Sequence, residues 1–226
     1  MNVVRRPLRI AILTAASVCC VLFQRGAPAA DSVSDAAAGM QRRYASVRTL
    51  TAHFEQRYQA PGVNTVESGT FWMKKPGLMR WEYRLPEEKL FVADGRETFL
   101  YVPADRQVTV RSFTDADFRS TPLRFLVGRG DILQSFRALP ENEFRARFEG
   151  TVIIRLEPRE DEPEYAFLSL EMDARTYDLR RIVIRERTGN TSEFVFTGLR
   201  TNISVAESQF RFRIPRGIEV IRLDEK

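Results

Sequence analysis

The spacing of hydrophobic residues changes along the chain and divides it into predicted elements. Over residues 31–50 apolar side chains, among them Val33 and Tyr44, recur every three or four positions, which predicts an amphipathic helix ending near Leu50. From there to about Val110 the period is two, with turn sequences such as Asp94-Gly95 between the runs. This second pattern is typical of short antiparallel strands joined as hairpins.

The alternation stops in the middle of the chain and then returns. Residues 115–139 carry clustered apolar side chains between Pro122 and Pro140, with two glycines among them, which predicts one or two short helices. Beyond Pro140 the pattern again predicts strands, at Val152–Leu156, Ala166–Met172, Leu179–Glu186, Glu193–Leu199, Phe210–Ile214 and Ile218–Leu223.

Most predicted strands carry apolar residues on one face only. Met79, Trp81 and Tyr83 alternate with charged residues, and later strands repeat this arrangement. An antiparallel sheet of roughly ten strands with one dry face tends to curl into an open or closed barrel. If side chains and helices fill the concave side incompletely, an apolar cavity remains there.

The first 29 residues have the layout of a cleaved secretory signal. Arginines precede an apolar stretch, Ile10–Phe23, which is shorter than the roughly 20 residues that a membrane-spanning helix needs. An Ala-x-Ala pattern then ends at Ala29. We expect cleavage near Ala29, export to the periplasm, and a single mature domain over residues 30–226. The two cysteines lie within the apolar stretch, so the mature chain would have no disulfide.

Charge and reactive groups argue against several function classes. The formal net charge is +5, but residues 1–29 contain four arginines and no acid, leaving about +1 for the rest. We therefore expect no nucleic-acid partner. His53 is the only histidine, and neither a G-x-S-x-G sequence nor a His/Cys cluster accompanies it. No catalytic residue, metal site or cofactor is expected, and a hydrolase built on His53 is disfavoured.

The first half of the chain contains a distinctive block of motifs. The block is Gly69-Thr70-Phe71-Trp72-Met73-Lys74-Lys75-Pro76, followed by Arg80-Trp81-Glu82-Tyr83. Three further elements stand outside it: Phe54-x-Gln56, Thr121-Pro122-Leu123 and Phe210-x-Phe212-x-x-Pro215-x-Gly217. In this order, the elements resemble the LolA family of periplasmic lipoprotein carriers.

The resemblance implies a fold and a function. The expected fold is mainly β, an incomplete, half-open antiparallel barrel of about eleven strands covered by helices. The expected function is to take acylated lipoproteins from an ABC-type release complex in the inner membrane to an outer-membrane receptor, acting as a monomer. Each methylene removed from water contributes about 0.8 kcal/mol, so acyl chains need such a carrier to cross the periplasm.

Strand parity and the resemblance together give candidate site residues. If the dry face lines the cavity, acyl chains contact Phe71, Met79, Trp81 and Tyr83, and the lid consists of Tyr44, Leu123 and Leu126. For each residue, ordinary core packing is the alternative interpretation.

Lys75 is the candidate lid latch, and it departs from the family pattern. Many family members have an arginine immediately before the proline, where it is thought to hold the lid by hydrogen bonds to backbone carbonyls. Lysine offers three donors on a compact ammonium in place of the five-donor guanidinium fork. Arg80 is the competing candidate, although its parity places it on the wet face. A solvated charge beside a turn is the alternative for Lys75.

Two other functions fit the same fold. One is a carrier of another lipid, such as a glycolipid or a pigment precursor. The other is a stress-signalling sensor, which usually has a second domain for which this chain has no length.

Overall fold

The computed structural model describes residues 33–113 and 131–223, which form two α-helices, one 3-10 helix and twelve strands. The helices are α1 (Val33–Ala45), α2 (Ile132–Ser135) and the 3-10 helix η1 (Glu207–Phe210). The strands are β1 (Thr49–Ala60), β2 (Val63–Lys74), β3 (Leu78–Leu85), β4 (Lys89–Ala93), β5 (Glu97–Val102), β6 (Gln107–Ser112), β7 (Phe136–Pro140), β8 (Thr151–Pro158), β9 (Tyr165–Asp173), β10 (Leu179–Glu186), β11 (Thr191–Thr201) and β12 (Glu219–Leu223).

All of these strands belong to one sheet, in the order β12-β6-β5-β4-β3-β2-β1-β11-β10-β9-β8-β7. The pairs are antiparallel except that β12 joins β6 in parallel. Because β12 and β7 lie at opposite edges without pairing, the sheet is not closed. The predicted half-open, mainly β architecture is therefore confirmed, with twelve strands where about eleven were expected. Within the described ranges, no helix is long and apolar enough to cross a membrane.

Side-chain contacts show how strongly the sheet curves. Trp81 on β3 and Phe194 on β11 are separated by β2 and β1, a path of about 14 Å along the sheet. Their ring centroids are nevertheless only 5.6 Å apart. The main hydrophobic core therefore lies on the concave face, where α1 contributes Ala36, Met40 and Tyr44. Helix α1 packs against α2 and the β7–β8 edge.

The predicted limits of two helical segments were wrong. The first helix ends at Ala45, and Leu50 already belongs to β1, where its side chain is buried in the main core. The central helical segment ends at Ser135, because Phe136–Pro140 pairs with β8 as a strand. In both places a core-facing strand residue continues the apolar spacing of the preceding helix, so spacing alone extended the helix too far.

The prediction of a strand at Phe210–Ile214 was also wrong. Phe210 ends η1, and the residues that follow, through Ile214, are irregular and unpaired. Their alternation arises because this segment lies on the convex face of the sheet, where the ring centroid of Phe212 lies 5.6 Å from that of Phe99 and 5.5 Å from that of Tyr101. An extended segment resting on any apolar surface shows a period of two, whether or not it joins a ladder.

The convex face carries a second core, so the prediction of one uniformly wet face was wrong for this half of the sheet. Val92, Phe99, Val108 and Val110 are buried there under the C-terminal segment. Strand β4 is apolar at consecutive positions, which supplies both faces with apolar side chains. Arg80, on the same face, is only 18% exposed.

Beneath residues 141–150, the convex face also buries charged groups. The Glu171 carboxylate is fully buried and accepts hydrogen bonds from the backbone N–H groups of Arg147 and Phe148 and from the Thr151 hydroxyl, each at 2.8 Å. Its other oxygen is 3.3 Å from the guanidinium of Arg181, which is also buried. A buried charge needs such partners, so Glu171 fixes this loop to the sheet.

Candidate functional site

A cavity of about 240 Å³ opens on the concave face. It is lined by side chains from four strands: Trp81 and Tyr83 (β3), Lys89 and Phe91 (β4), Leu100 (β5), and Phe194 (β11). Sheet pairing sets this arrangement, because Trp81 lies opposite Phe91 and Phe91 lies opposite Leu100, which keeps all three on one face. The walls suit a flexible apolar chain.

Behind the cavity wall, aromatic rings pack closely around a glycine. Phe71 lies 4.2 Å from Trp81, and Phe54 lies 4.9 Å from both Trp81 and Tyr83, measured between ring centroids. Gly69 sits on β2 between Phe54 and Tyr83. A Cβ at this position would stand 1.8 Å from the Glu82 carbonyl oxygen, so the close approach of the strands requires glycine.

One end of the cavity is polar. The Tyr83 hydroxyl donates to Gln56 Oε1 at 3.0 Å, and the Lys89 ammonium pairs with Glu67 while lying 4.8 Å over the Tyr83 ring. Burial, with a smaller contribution from the Glu67 carboxylate, raises the pKa of Tyr83. The phenol therefore stays neutral, and a ligand would meet an apolar wall with one ammonium group at its rim.

Helix α1 is fixed to the sheet by polar contacts near its C-terminal end. The Tyr44 hydroxyl accepts a hydrogen bond from the backbone N–H of Leu179 at 3.0 Å, and burial raises the pKa of this tyrosine. Arg43 forms a 2.8 Å ion pair with Asp178 and donates to Thr201 Oγ1 at 3.0 Å. Tyr44 thus belongs to the helix that covers the concave core and does not line the cavity.

Lys75 connects the β2–β3 turn to the same helix. Its Nζ donates to the Tyr44 carbonyl oxygen at 2.5 Å, and its backbone N–H donates to the Arg48 carbonyl at 2.8 Å. Burial lowers the pKa of Lys75. Arg80, the competing candidate, lies on the convex face instead, where it bonds Glu82 and the Gln209 carbonyl.

The structure distributes the other predicted site residues over several positions. Trp81 and Tyr83 line the cavity, whereas Phe71 and Met79 are buried in the core behind it. Leu123 and Leu126 lie outside the described residues.

Sequence reasoning missed four lining residues. Phe91 and Leu100 share the parity of Trp81, a signal that becomes visible once the hairpin registers are known. Phe194 comes from a distant strand and Lys89 from a strand end, and no local pattern identifies either. His53 is exposed, with Nδ1 3.4 Å from the Thr70 hydroxyl, and does not line the cavity.

A curved, unclosed sheet with an aromatic cavity on its concave face and a helix across the core defines a class of proteins that bind apolar chains. Residues 45–213 match the family model described as "Outer membrane lipoprotein carrier protein LolA". This chain belongs to that family, which is a family of carriers and not of enzymes.

Two relatives agree with this assignment, and a solved structure agrees with the fold. The chain is 29% identical to an outer-membrane lipoprotein carrier protein of Cupriavidus taiwanensis, covering 95% of this chain and all of that protein. It is 31% identical to the protein of the same name in Bordetella pertussis, covering 79% and 82% of the two chains. An uncharacterized conserved protein from Thermus thermophilus shares the fold, with a TM-score of 0.52, 14% identity, and coverage of 83% and 99%.

Proposed function

We propose that this protein is a periplasmic carrier that binds the acyl chains of lipoproteins released from the inner membrane and delivers them to the outer membrane. The observation that carries the proposal is the aromatic cavity on the concave face of a chain belonging to the LolA family. The two relatives from Cupriavidus taiwanensis and Bordetella pertussis are named outer-membrane lipoprotein carrier proteins.

Simple energetics support a carrier that opens. Ten methylenes transferred from water into the cavity contribute about 8 kcal/mol, which corresponds to a Kd near 1 μM before ordering costs. A cavity of about 240 Å³ is smaller than typical ligand sites, so several acyl chains require additional space. We propose that helix α1 moves to provide it, and that Lys75 is the latch holding α1 in the closed position.

The route on either side of the carrier is part of the same proposal. An ABC-type release complex in the inner membrane supplies the lipoprotein, and an outer-membrane receptor accepts it. Removal of a signal near Ala29 leaves the carrier as one domain, residues 30–226, free in the periplasm. The cavity residues Trp81, Tyr83, Phe91 and Phe194 contact acyl chains, with Phe71 and Met79 supporting them from behind.

Native purification from the periplasm followed by mass spectrometry tests the proposal. Leu100→Asp places a carboxylate at the cavity wall, and because Leu100 is 42% exposed the fold tolerates it. Val63→Asp is the matched control, an equally exposed apolar residue outside the cavity. Triacylated proteins should accompany the wild type and Val63→Asp but be lost from Leu100→Asp. Recovery of a free glycolipid or fatty acid in place of lipoproteins would overturn the proposal.

A further inference from the structure

A second, larger cavity lies where α1 leads into β1. Its volume is about 650 Å³, and among the described residues it shares no lining residue with the aromatic cavity. The lining residues come from three segments that meet at one end of the sheet: Ser46, Arg48, Thr49, Lys74, Lys75, Pro76, Asn202 and Ile203. Three of these described residues are cationic and none is acidic, so the cavity has a positive character, of which the function proposed above uses only Lys75.

The backbone around this cavity is held by hydrogen bonds. Asn202 Oδ1 accepts from the Arg48 backbone N–H at 2.8 Å, and its Nδ2 donates to the Ser46 carbonyl at 3.3 Å. The Thr49 hydroxyl donates to the Ile203 carbonyl at 2.6 Å. The α1–β1 and β11–η1 connections are thereby fixed to each other, and the cationic side chains project from a preformed frame.

The positive charges are only partly balanced. Lys74 pairs at 3.2 Å with Glu207, whose side chain is 66% exposed. The side chains of Arg48 and Lys75 form no ion pair with any described residue. Lys75 gives one of its three N–H donors to the Tyr44 carbonyl, which leaves two for a ligand. The Glu207 carboxylate shows that an oxyanion fits beside the Lys74 ammonium.

We propose that this cavity binds a phosphate group between Arg48, Lys74 and Lys75. The guanidinium of Arg48 offers a planar fork of donors for two phosphate oxygens, and the two ammonium groups supply compact positive charges. The cavity is open to solvent on one side, so both inorganic phosphate and the head group of an anionic phospholipid can reach it. Inorganic phosphate and the phospholipid head group both present a tetrahedral oxyanion.

Phosphate binding would act on helix α1 through Lys75. The same ammonium serves the Tyr44 carbonyl and the cavity, so a bound dianion competes with that carbonyl for the lysine. Binding therefore loosens α1. This consequence rests on the proposed function, since it treats Lys75 as the latch, whereas phosphate binding itself does not depend on the latch.

Titration of the whole mature protein with inorganic phosphate tests the site. Backbone NMR shifts would be followed at constant ionic strength, with chloride replaced by phosphate. The amides of Arg48 and Asn202 should shift saturably, and Arg48→Gln and Lys74→Gln should each weaken binding about tenfold. Arg96→Gln removes the same charge from an exposed turn outside the cavity and should leave the affinity unchanged. Unsaturable shifts, or an equal loss in Arg96→Gln, would overturn the site.

One further measurement distinguishes a lipid head group from free phosphate, and another tests whether phosphate loosens helix α1. Sedimentation with phosphatidylglycerol vesicles that depends on Arg48, and is absent with phosphatidylcholine, identifies the lipid head group. No such sedimentation together with saturable phosphate binding identifies the free anion. Phosphate should also speed hydrogen exchange of the α1 amides. If it does not, the effect on α1 is refuted while the site stands, and recovery of lipoproteins by mass spectrometry remains an independent test of the carrier function.

Discussion

Replacing Lys75 by leucine removes the hydrogen bond that connects the β2–β3 turn to helix α1. The acceptor is the Tyr44 carbonyl in the last turn of the helix, where carbonyls lack intrahelical partners. The same carbonyl also accepts a hydrogen bond from the Val47 N–H, at the longer distance of 3.3 Å. Lysine at this position also interacts favourably with the negative end of the helix dipole.

The expected magnitude follows from the burial of this contact. Hydrogen bonds to charged groups contribute about 1.5–3 kcal/mol, and because Lys75 is only half-buried, solvent screening reduces this to ~1–2 kcal/mol. A loss of that size raises the population of states with α1 detached by about 5- to 30-fold. Lys75→Arg retains a charged donor and should restore most of the contact.

Hydrogen exchange of the α1 amides, read by mass spectrometry, measures this population. Amide exchange in helix α1 should be about 5- to 30-fold faster in Lys75→Leu than in the wild type, with smaller changes in β9 and β10. Urea unfolding of the same variants corrects for any global loss of stability, and Arg96→Leu serves as the charge control. If α1 exchanges at the wild-type rate in Lys75→Leu, the latch hypothesis is refuted.

Three predictions concern stability and are measured by urea unfolding. The free energy of unfolding should fall as the pH rises from about 10 to 12. Tyrosines in the unfolded chain ionise in this range, whereas burial keeps Tyr44 and Tyr83 protonated in the folded state. Tyr44→Phe and Tyr83→Phe should each make the fall in unfolding free energy with pH less steep. Glu171→Ala should cost about 2–3 kcal/mol, since it removes one of the two carboxylates that pair with Arg181 and the shared acceptor of two loop N–H groups. Gly69→Ala should cost at least ~2 kcal/mol of stability, because its Cβ would clash with the Glu82 carbonyl oxygen. Gly62→Ala should cost about 1 kcal/mol, because open space surrounds this glycine and only its φ of +76° is unfavourable for alanine.

Each of these predictions has a contradicting result. An alkaline slope identical in the wild type and both tyrosine variants would show that neither hydroxyl resists ionisation. A cost below about 1 kcal/mol for Glu171→Ala would mean that the loop over residues 141–150 does not depend on this carboxylate. Equal stability of the two glycine variants would contradict the close approach of β2 and β3 at Gly69.

The sequence predicted those parts of the fold that depend on local periodicity. The alternation of Met79, Trp81 and Tyr83 correctly placed these residues on the concave face, and the parity of Lys75 placed it on the same side as the helix. The convex core and the irregular path after Phe210 could not be read in this way. They arise because the C-terminal segment returns to cover strands about a hundred residues earlier.

Local periodicity also predicted only part of the candidate site. Trp81 and Tyr83 belong to one strand whose pattern is visible, whereas Phe194 reaches the cavity through the curvature of the sheet across β2 and β1. Curvature is a collective property of many strands and has no signature at Phe194 itself. The carbonyl that accepts the Lys75 hydrogen bond is likewise a backbone atom, which side-chain patterns do not reveal.

The unpaired edges of the sheet make the interior adjustable. In a closed barrel, strand number and stagger fix the radius, so a larger cargo requires broken ladder bonds. Here β12 and β7 do not pair, so no such closure fixes the distance between the two flanks of the sheet. Widening the concave side for longer or more numerous acyl chains therefore does not require a closed ring of ladder hydrogen bonds to be broken.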